Sequence, residues 1–415
     1  MSELTNFLKS QQAAGQIESQ GRFTLALAKA RTKLQKYQLE NPSYYILKMV
    51  QAANALGATE MRIAIDYEST RLGMLMPAAP SVHELVEALQ LPPQGGALRH
   101  LALSLNAGLG TALEELEWTV QGAERSHRLR VVGETAQLSS GDGNPELGEN
   151  WLCQLVLTRL SGVGLKSAAQ TRAVADEYLA LVRRCRFSPL EFWVDGRSVW
   201  EPWSPSSGTV DYLATRYVLA GYGQSHFMVD APPWSELDWR EEELHGRWVG
   251  PPGLFFKRSA FADKVPSWLV QVSRPISPDV ARLPCRGALR FARQLEGPTL
   301  LWLIMDGVLL PPIELRIGLP GLEALAVWDG LKVDLSEFGV IRDEAFADLV
   351  AWLKEEALGL FRHLCAHHHM IHRVAEGGNT PSYLTAWEQV KLRNALAAVA
   401  APFEIEVGRE LPGGA

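Results

Sequence analysis

The sequence predicts a two-domain α/β chain: an α+β two-layer sandwich over residues 1–205, then a second α/β domain with its sheet in 206–341 and long C-terminal helices in 342–415. Three features carry this expectation. Helical periodicity through residues 22–56 passes abruptly into the strand pattern MRIAID. Asp-Gly pairs at 195–196, 306–307 and 329–330 each lie between apolar runs, as in a tight β-hairpin. Phe346, Leu349, Val350, Leu353, Leu360, Phe361 and Leu364 recur at helical spacing in the last quarter.

Taken in order, residues 22–40 read as a basic amphipathic helix and Asn41-Pro42-Ser43 as the cap of a second helix, YYILKMVQAANAL, stopped at Gly57. MRIAID then pairs through a turn at 67–71, and HELVEALQL forms a short helix between proline and glycine pairs. Residues 98–160 read as a loop containing Gly108-Leu109-Gly110, strands EWTV, RLRVVG and CQLVLTRL, and a polar loop at 139–150. A helix over 167–185 and the hairpin FWVDGRSVW close the first domain before Pro202 and Pro205. In the second, LLWLIMDGVLLPP and ALAVWDGLKVDL are expected hairpins, followed by a helix over 342–374 and another opened by Thr380 and Pro381.

Composition bounds the function. With 47% apolar and 21% charged residues, the 415-residue chain has the make-up of an ordered, water-soluble protein. Forty basic against 47 acidic residues give a net charge of −7, which disfavours nucleic acid and anionic membranes as partners. The cysteines at 153, 185, 285 and 365 form no C-x-x-C pair, and the first residues hold no apolar core, so a cytoplasmic location is expected.

The run ILKMVQAANALGATEMRIAI, placed after a first helix, resembles the second helix and following strand of the GHKL or Bergerat-fold superfamily of gyrase B, heat-shock chaperones, histidine kinases and mismatch-repair ATPases. That resemblance implies a Bergerat-like first domain, with Lys48, Gln51, Ala52, Ala55, Gly73, Asn106, Gly108 and Gly110 at nucleotide-site positions. Members carry a Glu base, an Asn magnesium ligand and an Asp on one helix face. Here those positions are Lys48, Ala52 and Ala55, and no acidic residue occurs between Glu40 and Glu60. An ammonium and a methyl can neither activate water nor hold magnesium. The expectation is a degenerate, non-hydrolytic, chaperone-like protein with no catalytic residue, at most weak ATP and magnesium binding, and a protein partner, a homodimer being left open. The competing reading is an active ATPase whose carboxylate is Glu84 or Glu87.

His363, His367, His368 and His372 form the densest donor cluster, with Cys365 and His369 among them. On one continuous helix His363 pairs with His367, and His368 with His372, at i,i+4, which could hold zinc with Glu376. The spacing matches no tetrahedral signature, so a helix end complementing the macrodipole is expected first and a metal-dependent interaction protein second. Arg183, Arg184 and Arg186 read as a solvated helix face, and Trp234, Trp239 and Trp248 as loop packing or a docking surface.

Overall fold

Asn41 sets the start of the first helix: its side chain accepts a hydrogen bond from the Ser43 amide at 2.9 Å, ahead of a 3₁₀ turn at Pro42–Tyr44. Helix α1 (Tyr45–Ala55) follows, with every residue from Tyr45 to Ala53 buried. A helix buried on every side belongs to an interior. Gly57, at φ 72°, ends it in a Schellman arrangement, with Gly57 donating to the Asn54 carbonyl and Ala58 to that of Ala53. The computed structural model describes residues 39–90, 92–93, 95–110, 113–132, 135–159, 165–200, 206–207, 210–219, 227–230, 253–255, 269–272, 282–292, 295–334, 337–368, 372–373 and 382–408. The basic helix expected at 22–40, Cys285's side chain and the three tryptophans at 234, 239 and 248 therefore lie outside the described residues, save for residues 39 and 40.

Strands β1 (Glu60–Ile65) and β2 (Ser69–Met76) form the expected hairpin, and helices α2 (Val82–Gln90) and α3 (Ala97–Gly110) follow. Then come β3 (Leu113–Gln121), β4 (Arg125–Val132), β5 (Thr135–Asp142), β6 (Trp151–Arg159), helix α4 (Leu165–Arg184), β7 (Glu191–Val194) and β8 (Arg197–Ser198). The eight strands make one mixed sheet in the order β5-β4-β3-β6-β2-β1-β7-β8, parallel only between β1 and β7. Alternation puts apolar side chains on one face. Cross-strand partners Val194, Ile63, Leu72, Leu155, Trp118, Leu129 and Leu138 form a row across seven of the eight strands, β7 to β5. Six of them are 0–4% exposed, and Leu138, on the edge, is 57% exposed.

Two expectations fail here. The Asn106 to Gly110 segment is the last turn of α3, where burial of Leu101, Leu103 and Leu105 outweighs a cost of about 1 kcal/mol per helical glycine. The start of the polar loop at 139–150 is β5, an exposed edge strand that needs no apolar pattern because its ladder to β4 supplies the order.

The second sheet has ten strands: β9 (Ser206–Ser207), β10 (Val210–Leu219), β11 (Phe227–Asp230), β12 (Gly253–Phe255), β13 (Leu269–Val272), β14 (Arg282–Ala292), β15 (Thr299–Met305), β16 (Val308–Leu309), β17 (Ile313–Leu315) and β18 (Leu322–Ala326). Its main path is β12-β13-β10-β14-β18-β15-β16, with β10–β13 and β15–β18 parallel. Helix α5 (Glu344–His367) packs against β10 and buries Leu349, Leu353, Leu360, Phe361 and Leu364, with Phe361 5.5 Å from Phe291. Strands β19 (His372–Arg373) and β20 (Ser382–Tyr383) pair with each other, and α6 (Ala386–Ala400) follows.

Asp195-Gly196 and Asp306-Gly307 turn hairpins with both residues at positive φ, as a type I′ turn requires. Asp329-Gly330 does not: the chain beyond it bridges Val333 to Val340 instead of returning along β18. Helix α5 ends at His367, seven residues before the expected 374, where the buried His368 ring lies 3.0 Å from the Cys365 carbonyl. Helix α6 starts at a Thr385–Glu388 capping box, which satisfies two end amides, and not at Thr380.

Candidate functional site

Lys48 lies in the middle of α1 with no solvent exposure. Burying an ammonium is prohibitive unless a counter-charge and hydrogen bonds meet it. Glu337 meets it: Lys48 Nζ is 3.0 Å from Glu337 Oε2 and donates to the Glu337 carbonyl at 3.3 Å. The other carboxylate oxygen accepts from Arg99 on α3, whose guanidinium also donates to the Pro93 carbonyl at 2.8 Å. Glu337 thus joins two cations, one from each of two helices backing the first sheet. Its own backbone is left-handed, φ 65°, held by a 3.0 Å hydrogen bond from its amide to the Asp334 carbonyl. For a residue with a Cβ that conformation costs about 1–2 kcal/mol, which the two charge contacts offset.

Phe338 extends the contact. Its ring centroid is 4.9 Å from Lys48 Nζ and 4.4 Å from the Arg184 guanidinium, and Tyr44 meets it edge-on at 5.3 Å. Arg184 also donates to the Leu309 carbonyl at 2.7 Å. It is half-buried between rings, not on a solvated face as expected.

One turn along α1, Gln51 donates to the Met305 carbonyl at 3.1 Å, and its buried Oε1 has no partner among the described residues. Asn54 bonds Val50's carbonyl and the Ser188 hydroxyl. Gly307 presses on this Asn54 amide: a Cβ there would overlap the amide and the Ser188 hydroxyl. Beside it, Asp306 Oδ2 lies 3.1 Å from His100 Nε2. The polar face of α1 is therefore covered by two loops of the second sheet region, 305–309 and 337–338.

Electrostatics follow from this enclosure. Burial pulls the Lys48 ammonium below its ordinary pKa, against the opposing pull of Glu337. Burial pushes the Glu337 carboxyl up, but Lys48 and Arg99 together outweigh it and hold it below the usual glutamate value. Glu337 is therefore ionised at neutral pH.

The residues placed at nucleotide-site positions fall on α1, β2 and α3. Lys48, Gln51 and Ala52 are buried on α1, and Ala55 is exposed near its end. Gly73, opposite Arg62 in mid-strand, alternates with buried Leu72 and Met74 and so faces away from the helices. Asn106, Gly108 and Gly110 lie in α3, with the Asn106 amide donating to the Leu89 carbonyl at 3.0 Å. Helical amides are already spent on the turn before them. This set does not fit magnesium: Lys48 offers donors where a metal needs acceptors, its ammonium is spent on Glu337, and Ala52 offers nothing. Glu84 and Glu87 are exposed on α2, which packs on α3.

The histidines separate likewise. His363 and His367 lie on α5, His368 follows its end, and His372 is in β19, so no helical i,i+4 pairing joins His368 to His372. Among the described residues no group of three or more His, Cys, Asp or Glu is placed to hold a metal ion, and no helix is long and apolar enough to cross a membrane.

The sequence pointed to Lys48 and Gln51 and put Arg184 on a solvated face, but gave no sign of Glu337, Arg99 or Phe338. Only the Asp306-Gly307 turn carried a local signal, and Glu337 sits in a segment, VDLSEFGV, with no periodicity to mark it. Neither the family models nor the curated proteins compared with this chain give a match.

Proposed function

We propose that this chain is a degenerate GHKL-type protein that does not hydrolyse ATP and acts through protein contacts. One observation carries the reading: the helix face on which the superfamily places its base holds Lys48, and that ammonium is sealed against Glu337 and Phe338. The order of elements from α1 through the β1–β2 hairpin, two helices, and β3 to β6 supports the kinship. A rigid interior helix spent on tying two sheets together suits a scaffold that presents surfaces. It does not suit a site that must open to a phosphate chain.

The test is steady-state phosphate release by the full chain with magnesium-ATP, beside buffer alone and Lys48→Ala, and a calorimetric titration of the native chain with ATP. The expected result is release at the buffer level for both proteins and no binding heat. Release by the native chain above both controls overturns the proposal.

A further inference from the structure

The buried apolar row of the first sheet ends at Val194 on β7, and the register continues it onto β8 with a cation. Val194 and Arg197 are direct cross-strand partners, so their side chains share the face on which α4 packs. Val199, two residues further on, is buried again, and its amide donates to the Phe192 carbonyl at 3.0 Å. The turn at Asp195-Gly196, with φ of 48° and 75°, fixes this placement.

Over these residues α4 carries Tyr178 and Val182, one turn apart on one face. With Val194, Arg197, Val199 and Trp200 they line a cleft of ≈ 230 Å³ between the helix and the sheet edge. Three valines and two aromatic rings supply surface for an apolar body. Arg197 is exposed, and no acidic residue is among the described residues that line the cleft. No carboxylate among the described residues pairs with Arg197: Asp195, across the turn, places a carboxylate oxygen on the Ile65 amide at 2.9 Å. An uncommitted guanidinium beside apolar walls has the make-up of a small-molecule site, where the walls hold the body and one polar group fixes its orientation.

We propose that this cleft binds a small aromatic monocarboxylate, its ring against the valines and Trp200 and its carboxylate on the Arg197 guanidinium. The fork of a guanidinium matches the two oxygens of a carboxylate. Aromatic walls favour an aromatic body, because paired rings attract beyond the area they bury. A phosphate fits poorly: a single cation lines the cleft, and α4 turns its C-terminal half to it, where the amides are spent within the helix. The volume lies below the roughly 300–1,000 Å³ of drug-sized sites, which limits the ligand to one ring with a short acid chain. The cleft uses none of the residues of the Lys48–Glu337 contact, so it stands whether or not α1 is read as a degenerate nucleotide site.

The test is a calorimetric titration of the full chain with phenylacetate, beside phenylacetamide and inorganic phosphate. Phenylacetate is expected to saturate with a Kd of about 1 mM, and the amide and phosphate to bind about tenfold more weakly or not at all. Arg197→Gln should lose about tenfold in affinity for phenylacetate and no longer separate acid from amide. Val182→Trp, which fills the cleft, should abolish binding of both. Absence of saturation by about 10 mM phenylacetate, equal affinity of the native chain for acid and amide, or binding that both variants leave unchanged overturns the proposal. Phosphate binding tighter than phenylacetate overturns the carboxylate class. Should Val182→Trp lose its thermal midpoint, Arg197→Gln, at an exposed position, still decides the matter.

Discussion

Lys48 and Glu337 meet at 3.0 Å in the protein interior although 289 residues separate them in sequence. With Arg99 they bind the interior helix of the first sheet to a loop that follows the second. Removing one partner leaves a charge buried and unpaired, so Glu337→Ala is expected to cost about 3–5 kcal/mol in urea denaturation. Lys48→Met combined with Glu337→Gln should cost clearly less than the sum of the two single changes, since the double variant leaves no buried charge on either side. Additive losses would show that the two residues act separately.

The same pair makes stability depend on acid. Glu337 has a lower pKa folded than unfolded, so the unfolded chain binds its proton first as pH falls. Its contribution is full above the unfolded value, about 4.3, and fades as pH drops through the lower folded value. Urea midpoints measured from neutral pH downward should fall more steeply for the native chain than for Glu337→Gln in that acid window. Parallel curves would mean that Glu337 is not held ionised by Lys48 and Arg99.

Gly307 is needed twice, for its φ of 76° and for the space that Asn54 fills. Gly307→Ala should destabilise by about 1–3 kcal/mol, part of it from left-handed backbone strain and part from displacing the amide. In an Asn54→Ala background the penalty should shrink toward the backbone part alone. Thermal or urea unfolding of the four proteins reads this directly.

Burial pushes the Cys153 and Cys185 thiols far up, and that of Cys365 up to about 12. A thiol, not a thiolate, is poorly nucleophilic. Alkylation at mildly alkaline pH, resolved by peptide mass, should leave these three unmodified in the native chain and label them fully in urea. Labelling of any of them in the folded protein at the rate of a free thiol would contradict their burial.

Much of the architecture is written in local chemistry. Gly57 ends α1 because it alone tolerates the left-handed cap without cost, and Asp195-Gly196 and Asp306-Gly307 turn where positive φ is demanded. Those signals act over a few residues and survive any tertiary context. Where they compete, packing decides: the glycines of 106–110 looked like a loop and are helix, because α3 lies against α1 and buries its leucines. The last helix opens on the reciprocal bonds of Thr385 and Glu388, while Thr380 and Pro381, where a start was expected, lie outside the described residues.

The site divides along the same line. By itself the sequence determined that α1 carries Lys48, Ala52 and Ala55 and no acidic residue. Side-chain identity suffices for that, because no arrangement turns an ammonium into a carboxylate. Only the tertiary structure decided what the lysine does instead. A buried cation must find its counter-ion through space, and Glu337, delivered from the far end of the chain by the second sheet, meets it without leaving a trace in local sequence.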